Sequence, residues 1–415
     1  MPKRIVITGI GIVSPIGTGK DAFWSNLVNG KSGIKNISLF DTSEMNCKTG
    51  GEIPEFDALN FMEGKSAAPL DRTAQLVCAA VKLGIDDAGL NWSEMPKPRT
   101  GVLIGSTLGH LHIYSTFDRT QLGRGFLAAS AKDFANCVGI SNVGHASVLY
   151  GMEAFNGLVS MGSSSSLGAI NLGASFIKLG RADVVFAGGV EPLFVENFLQ
   201  FYLPGTLSGS RNGEPELCAP FDRKRNGIIL GEGSAVAVLE DYEHAIARGA
   251  KIYAEVLGYG TAFDPEVAIR PNRSGKSLIK AMGQALKRSD LAPDAIDYVS
   301  ANGNSTVDGD ATETVAIKTV FGDTSNNLRY SAIKSMTGEC FSASAAMQVC
   351  ASALTLNSGL IPPTINYEDP DPDCGLPLSS KSQEGAISTA MINTLDDSGI
   401  AAALVIGRTN GARTV

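Results

Sequence analysis

The chain has 415 residues, 44% of them hydrophobic and 18% charged, with 47 glycines and 7% aromatics. That balance suits about two to three domain-sized units or one large duplicated α/β body, and it excludes disordered, collagen-like and coiled-coil chains. Its 34 basic and 42 acidic side chains give a net charge of −8, with no run of Lys and Arg, which argues against a nucleic-acid or anionic-membrane partner.

The first seventeen residues join a basic start to a short β-branched stretch interrupted by Gly9 and Gly11. This predicts a buried strand over 4–8 and not a signal peptide. A helical pattern over 74–88 follows, then a strand over 100–104, a helix over 171–179, and strands over 182–188 and 234–239. Beyond a junction at 240–251 the alternation resumes, with a strand over 252–258, a helix over 275–288, and strands over 298–301 and 328–331. A helix over 343–356, rich in small residues and therefore expected to be packed and buried, precedes a last strand over 402–406. The alternation predicts mixed α/β layers with buried sheets, divided into halves at 1–250 and 251–415. Each half opens on a strand expected to end in Gly-x-Gly, at Gly9 and Gly11 and again at Gly258 and Gly260, an echo that hints at duplication. No stretch approaches the roughly 20 apolar residues of a membrane span. Seven cysteines (Cys47, Cys78, Cys137, Cys218, Cys340, Cys350 and Cys374) lie scattered without a CxxC pair. They argue against a disulfide framework or a structural zinc site and place the chain in a reducing cytoplasm. The sequon Asn91-Trp92-Ser93 is then a chance match.

Several motifs invite a chemical reading. Gly9-Ile10-Gly11-Ile12-Val13-Ser14 begins like a dinucleotide fingerprint, but the third glycine is missing and Pro15 interrupts the helix start, so nucleotide binding is set aside. The serines Ser163, Ser164, Ser165 and Ser166 stand where a strand-to-helix turn presents a nucleophile; the local sequence fits an ordinary helix cap better. All four histidines, His110, His112, His145 and His244, lie in the first half, which excludes any mechanism needing a histidine from the second half. His244 reads as part of an exposed helix face. His110 and His112 lack a carboxylate at metal-ligand spacing, and the stretch Asp369-Pro370-Asp371-Pro372-Asp373 reads as a solvated loop.

Taken in order, four segments resemble the β-ketoacyl synthase family of the thiolase fold: Val6 through Gly11, Pro220-Phe221-Asp222-Arg223 onward to Gly233, Lys334-Ser335-Met336-Thr337-Gly338, and Pro362-Pro363-Thr364-Ile365-Asn366. The match runs from Arg4 to about Gly407. The resemblance implies a five-layered αβαβα body of two similar halves, working as a dimer whose partners help line each other's pockets. Active members use a cysteine nucleophile at a strand-helix turn and two histidines from the second half. Here Ser163 stands at the cysteine position, Asn302 at the first histidine and Glu339 at the second. Lys334 and Glu313 match a supporting charge pair. Asn304 replaces one of two threonines that meet the pantetheine arm, while Thr306 remains. The gating loop is matched by residues 393–399, where Asp396 and Asp397 bring acid to the gate.

A carboxylate at 339 repels a malonyl carboxylate, and a serine without a histidine base is a poor nucleophile near neutral pH. The preserved scaffold and erased triad look like the chain-length factor, or ketosynthase β subunit, of type II polyketide synthases, although those usually carry glutamine where Ser163 stands. The resemblance implies a noncatalytic subunit that pairs with an active ketosynthase and closes the tunnel for a chain carried on the phosphopantetheine of an acyl carrier protein, with no cofactor or metal of its own. The family's tunnel gate matches His110, Ile113 and Phe117, which share one helical face, as tunnel wall or as plain interface packing. Two rivals stay open: an acyltransferase on acyl carrier protein thioesters, with Ser163 as nucleophile and Lys334 or a water-bound carboxylate as base, and a regulatory or carrier-binding homodimer.

Overall fold

The computed structural model describes residues 3–211, 213–267 and 273–409. Its first strand, β1 (Ile5–Ser14), is buried along all ten residues, as a β-branched run covered on both faces must be. The other principal strands of the first half are β2 (Thr100–Gly105), β3 (Asn156–Val159), β4 (Val184–Glu191) and β5 (Gly233–Asp241). Those of the second half are β6 (Ala254–Phe263), β7 (Tyr298–Ser300), β8 (Arg329–Ser331), β9 (Thr389–Leu395) and β10 (Ile400–Gly407). The helices that matter here are α1 (Arg72–Asp87), α2 (Leu111–Arg124), α3 (Ala131–Asn136), α4 (Ser141–Tyr150), α5 (Ser165–Lys178), α6 (Lys276–Ser289), α7 (Val307–Phe321) and α8 (Ser344–Ser358).

The strands lie in the order β8-β7-β9-β10-β6-β1-β5-β4-β2-β3. In each half the first strand pairs antiparallel with the fifth and the fifth with the fourth, while the fourth pairs parallel with the second and the second with the third. The halves therefore repeat one topology, joined where Val6 and Ile7 of β1 meet Glu255 and Ala254 of β6. Helices α1 and α6 cover the outer faces, and α5 and α8 pack between the half-sheets, which gives the five αβαβα layers. Every residue of α8 from Ser344 to Leu356 is buried, as its small side chains predict.

The Gly-x-Gly echo proves to be a packing device. The glycines lie inside β1 and β6 and not at their ends. A methyl group built on Gly11 would overlap the Ala80 carbonyl of α1, and one on Gly260 would overlap the Ala281 carbonyl of α6. Each pair removes side chains where an outer helix lies directly on its strand.

Two surface expectations are corrected. His244 is half-buried, its Nδ1 2.8 Å from Glu240, which also receives Arg248 and Thr8; this cluster holds the Glu240 carboxyl down at about 2 against the cost of its burial. Asp371 turns inward to pair with the buried Arg225, so the acidic loop is anchored and not merely solvated.

Candidate functional site

The site forms where β3 turns into α5. Gly162 takes φ +57° there, the left-handed conformation that glycine adopts without cost, and α5 starts at Ser165. Ser164, the residue before the helix, makes no side-chain capping bond; its Oγ lies 2.7 Å from Thr394 Oγ1 on β9. Ser165 stitches the turn instead, accepting from Met161 N at 2.8 Å and donating to the Gly162 carbonyl at 2.6 Å. All four serines are buried, and the one at the cap position makes no capping bond.

Ser163 faces a cavity of about 190 Å³ shared with Gln200, Phe201, Ile228, Asn304, Glu339, Phe341, Leu395, Asp396, Asp397 and Ser398. Its Oγ is buried and has no hydrogen-bond partner among the described residues. Its backbone N–H, two residues before the start of α5, donates at 2.8 Å to Asp396 Oδ2. The other Asp396 oxygen accepts from Ser398 N at 2.8 Å. The acidic segment is thus the hairpin joining β9 to β10: residues 393–395 belong to β9, and only 396–399 form the turn. Asp397 is pushed up to about 6, by burial first and then by the negative charges of Asp396 and Glu339.

Glu339 is wired from several sides. Lys334 Nζ donates to its Oε2 at 2.7 Å, while its Oε1 accepts from Ser344 Oγ at 2.7 Å and Phe341 N at 3.0 Å. Phe341 holds φ +45°, a strained conformation for a large side chain, and stacks edge-on against Phe201 across the cavity. The same ammonium donates to Asn302 Oδ1 at 2.8 Å. The expected Lys334–Glu313 ion pair is therefore not made. Glu313 instead accepts the backbone N–H groups of Asn302 and Gly303 at 2.8 and 2.9 Å, and burial raises its carboxyl to about 7. The link between the two residues runs through Asn302.

The structure brings Ser163, Glu339, Asn304 and the acidic turn to one cavity, with Asn302 and Lys334 directly behind. Thr306 stays outside the lining: it caps α7 by accepting from Gly309 N and donates to Asn304 Oδ1 at 2.7 Å. The helix residues are separate as well. His110 precedes α2, Ile113 and Phe117 lie on it half-buried, and Phe117 packs against Phe134 of α3 at 5.7 Å between ring centroids. His112 finds a carboxylate from elsewhere in the chain, Glu196 at 2.9 Å, and stacks on Phe194. Sequence reasoning missed Ser342 and Thr107, which tie Ser165 to the segment leading into α2, and Glu191, which holds Leu108 N at 2.7 Å. Among the described residues no helix is long and apolar enough to cross a membrane.

A buried carboxylate beside an ammonium, a hydroxyl with no hydrogen-bond partner among the described residues and an engaged backbone donor thus meet at one cavity. The comparisons place this site on a known scaffold. Residues 2–245 match the family model of the beta-ketoacyl synthase N-terminal domain, and residues 253–368 that of the C-terminal domain. A 3-oxoacyl-[acyl-carrier-protein] synthase 2 from Synechocystis sp. is 33% identical over 396 residues, 94% of this chain and 95% of its own. Its namesake from Coxiella burnetii is 34% identical over 421 residues, 98% of this chain and 99% of its own. Among solved structures, the ishigamide ketosynthase/chain length factor superposes with a TM-score of 0.92 at 30% identity, covering 99% of this chain and 100% of that one. A type II PKS acyl-carrier protein in complex with its ketosynthase bound to the hexaketide gives 0.90 at 29% identity with the same coverage. With both domain models matched in order and full-length relatives at a third identity, the chain belongs to the β-ketoacyl synthase family and has its thiolase fold.

Proposed function

We propose that this chain is a noncatalytic chain-length factor, which pairs with an active ketosynthase of a type II polyketide synthase and shapes the tunnel for a chain carried on an acyl carrier protein. The observation that carries the reading is the set Ser163, Asn302 and Glu339 with Lys334 bound between the last two. An ammonium locked to a carboxylate and an amide neither abstracts a proton from Ser163 nor holds a thioester oxygen. The solved ketosynthase/chain length factor and the carrier-protein complex of a ketosynthase, both similar along almost the whole chain, supply the kinds of partner. The curated relatives are named as synthases. A condensing role for this chain requires a nucleophile and a base in reach, and Ser163 has no base within hydrogen-bonding distance among the described residues. The acyltransferase alternative meets the same obstacle, since Lys334 is already engaged.

The test is coexpression with an intact Cys-His-His ketosynthase, read by native mass spectrometry and product formation. A one-to-one complex whose output changes less than about twofold on Ser163→Ala supports the proposal. A homodimer that ignores the ketosynthase sinks it, and a loss of about a hundredfold or more on Ser163→Ala returns the serine to chemistry.

A further inference from the structure

Acyl transfer at a strand-to-helix turn needs more than a nucleophile. The backbone N–H at the nucleophile position, at the positive end of the helix, must be free to receive the negative oxygen that develops on the attacked carbonyl. In this chain that donor is taken. Asp396 Oδ2 sits 2.8 Å from Ser163 N, and the rest of the hairpin fixes the carboxylate in that seat: Ser398 N holds Oδ1, Asp396 N donates to the Ile400 carbonyl at 2.9 Å, and Gly399 N donates to the Asp396 carbonyl at 2.9 Å. Asp396 is buried, so water competes little for the contact. The opposite wall is cut to fit. A methyl group on Gly162 would overlap Asp396 Oδ2, so only a glycine next to Ser163 leaves room for the carboxylate.

We propose that Asp396 is a specificity-determining residue, a tethered anion that occupies the oxyanion position of the Ser163 turn and shuts the site to acyl thioesters independently of which residue stands at 163. A carbonyl oxygen entering the cavity is neutral in its ground state and arrives on a separate molecule, whereas the carboxylate is already seated and held by its own hairpin, so the thioester loses the competition. Glu339 and Asp397, lining the same cavity, add like charge against any carboxylate-bearing extender. The erased triad then has a fourth member, contributed by the turn between the last two strands. Exchanging Ser163, Asn302 and Glu339 for Cys, His and His would leave the N–H blocked.

The inference concerns the site that the proposed function treats as chemically silent, and it is tested on this chain alone, so a failure to pair with a ketosynthase and a failure of this idea are separate results. Ser163→Cys places a reporter thiol at the turn. Its thiolate is measured by ultraviolet absorbance against pH, as a difference from the parent chain, and its alkylation by iodoacetamide is followed on the peptide carrying residue 163. With Asp396 in place, the seated negative charge opposes the thiolate and the thiol titrates high. Adding Asp396→Asn removes the charge without changing shape; the expected result is a thiol pKa lower by about one unit or more and labelling about tenfold faster near pH 7. Adding Gly162→Ala instead expels the carboxylate from the other side and is expected to lower the pKa likewise; it decides the matter if the Asp396 variant does not fold. Asp397→Asn, which touches the cavity but not the Ser163 N–H, is expected to move the thiol less. If neither Asp396→Asn nor Gly162→Ala lowers the pKa, or if Asp397→Asn alone reproduces the whole shift, the assignment of Asp396 is wrong.

Discussion

Lys334 is 1% exposed, and its ammonium serves Glu339 and Asn302 at once. Removing one member of a buried pair strands the other charge, at a cost of about 3–5 kcal/mol, whereas neutralising both costs far less. Lys334→Met is accordingly expected to lower unfolding stability by about that amount, and Lys334→Met with Glu339→Gln to recover most of it, as measured by urea denaturation. An equal loss in both variants would show that the packing of the lysine stem matters more than its charge. Asp397 gives the pH counterpart. Its folded-state pKa of about 6 lies above the ordinary carboxylate range, so folding takes up a proton between about pH 4 and 6, stability falls as pH rises through that window, and the penalty persists above it. Asp397→Asn removes the penalty. The variant is expected to be more stable by on the order of 1–2 kcal/mol at about pH 8 and indistinguishable at about pH 4. The resemblance implied that Ser163, Asn302 and Glu339 stand at the triad positions, but not how they are connected. Lys334 and Glu339 are five positions apart, a spacing that signals no helical pair; Ser163 and Asp396 are separated by more than two hundred residues, and no local pattern joins them.

At the scale of elements, the strands that could be read were those buried on both faces, because continuous β-branched runs such as Ile5–Ser14 carry a strong signal. The short edge strand β3 (Asn156–Val159), half exposed and holding a glycine, carries almost none and was not expected; β9 is buried but sets Asn393 and Thr394 among its apolar residues, and it was not expected either. Helix α5 was expected to begin at Asn171 but starts six residues earlier, because its first turn holds the buried polar residues Ser165 and Ser166, which the period misreads as loop; Ser165 bonds across the fold to Thr107 and Ser342. Helix α2 tests the tunnel reading. None of its residues is buried, so His110, Ile113 and Phe117 acquire a wall to line only against a partner. Phe117 rests on Phe134 and not on the Ser163 cavity. In a complex with an active ketosynthase, Phe117→Ala is expected to shift products to longer chains, by opening the space of one aromatic ring, while total turnover changes little. Unchanged product length from an intact complex would make this face interface packing alone.

At the scale of the whole molecule, several of the most exposed large apolar side chains among the described residues fall in one stretch. The stretch from α2 to α4 exposes Leu122, Phe126, Leu127, Phe134, Val138 and Val148, with Leu127 fully exposed and Leu122 at 82%. It packs beside β3, the strand at one end of the sheet order, whose second edge has no strand partner among the described residues. Large apolar side chains exposed beside an open sheet edge are suited to a protein partner. The five-layer core does not depend on them, since its clusters lie on the half-sheets and their covering helices. Two consequences can therefore be separated. Leu127→Asp is expected to leave the melting temperature of the lone chain almost unchanged, because an exposed substitution shifts stability by no more than about 0.5 kcal/mol. The same change is expected to weaken pairing with the ketosynthase by about 2 kcal/mol or more if Leu127 is a central anchor, roughly a thirtyfold rise in Kd readable by native mass spectrometry at graded concentrations. A drop in melting temperature of the lone chain would mean that the residue serves its own fold; full pairing by a stable Leu127→Asp chain would move the ketosynthase to another face and take the tunnel role of α2 with it.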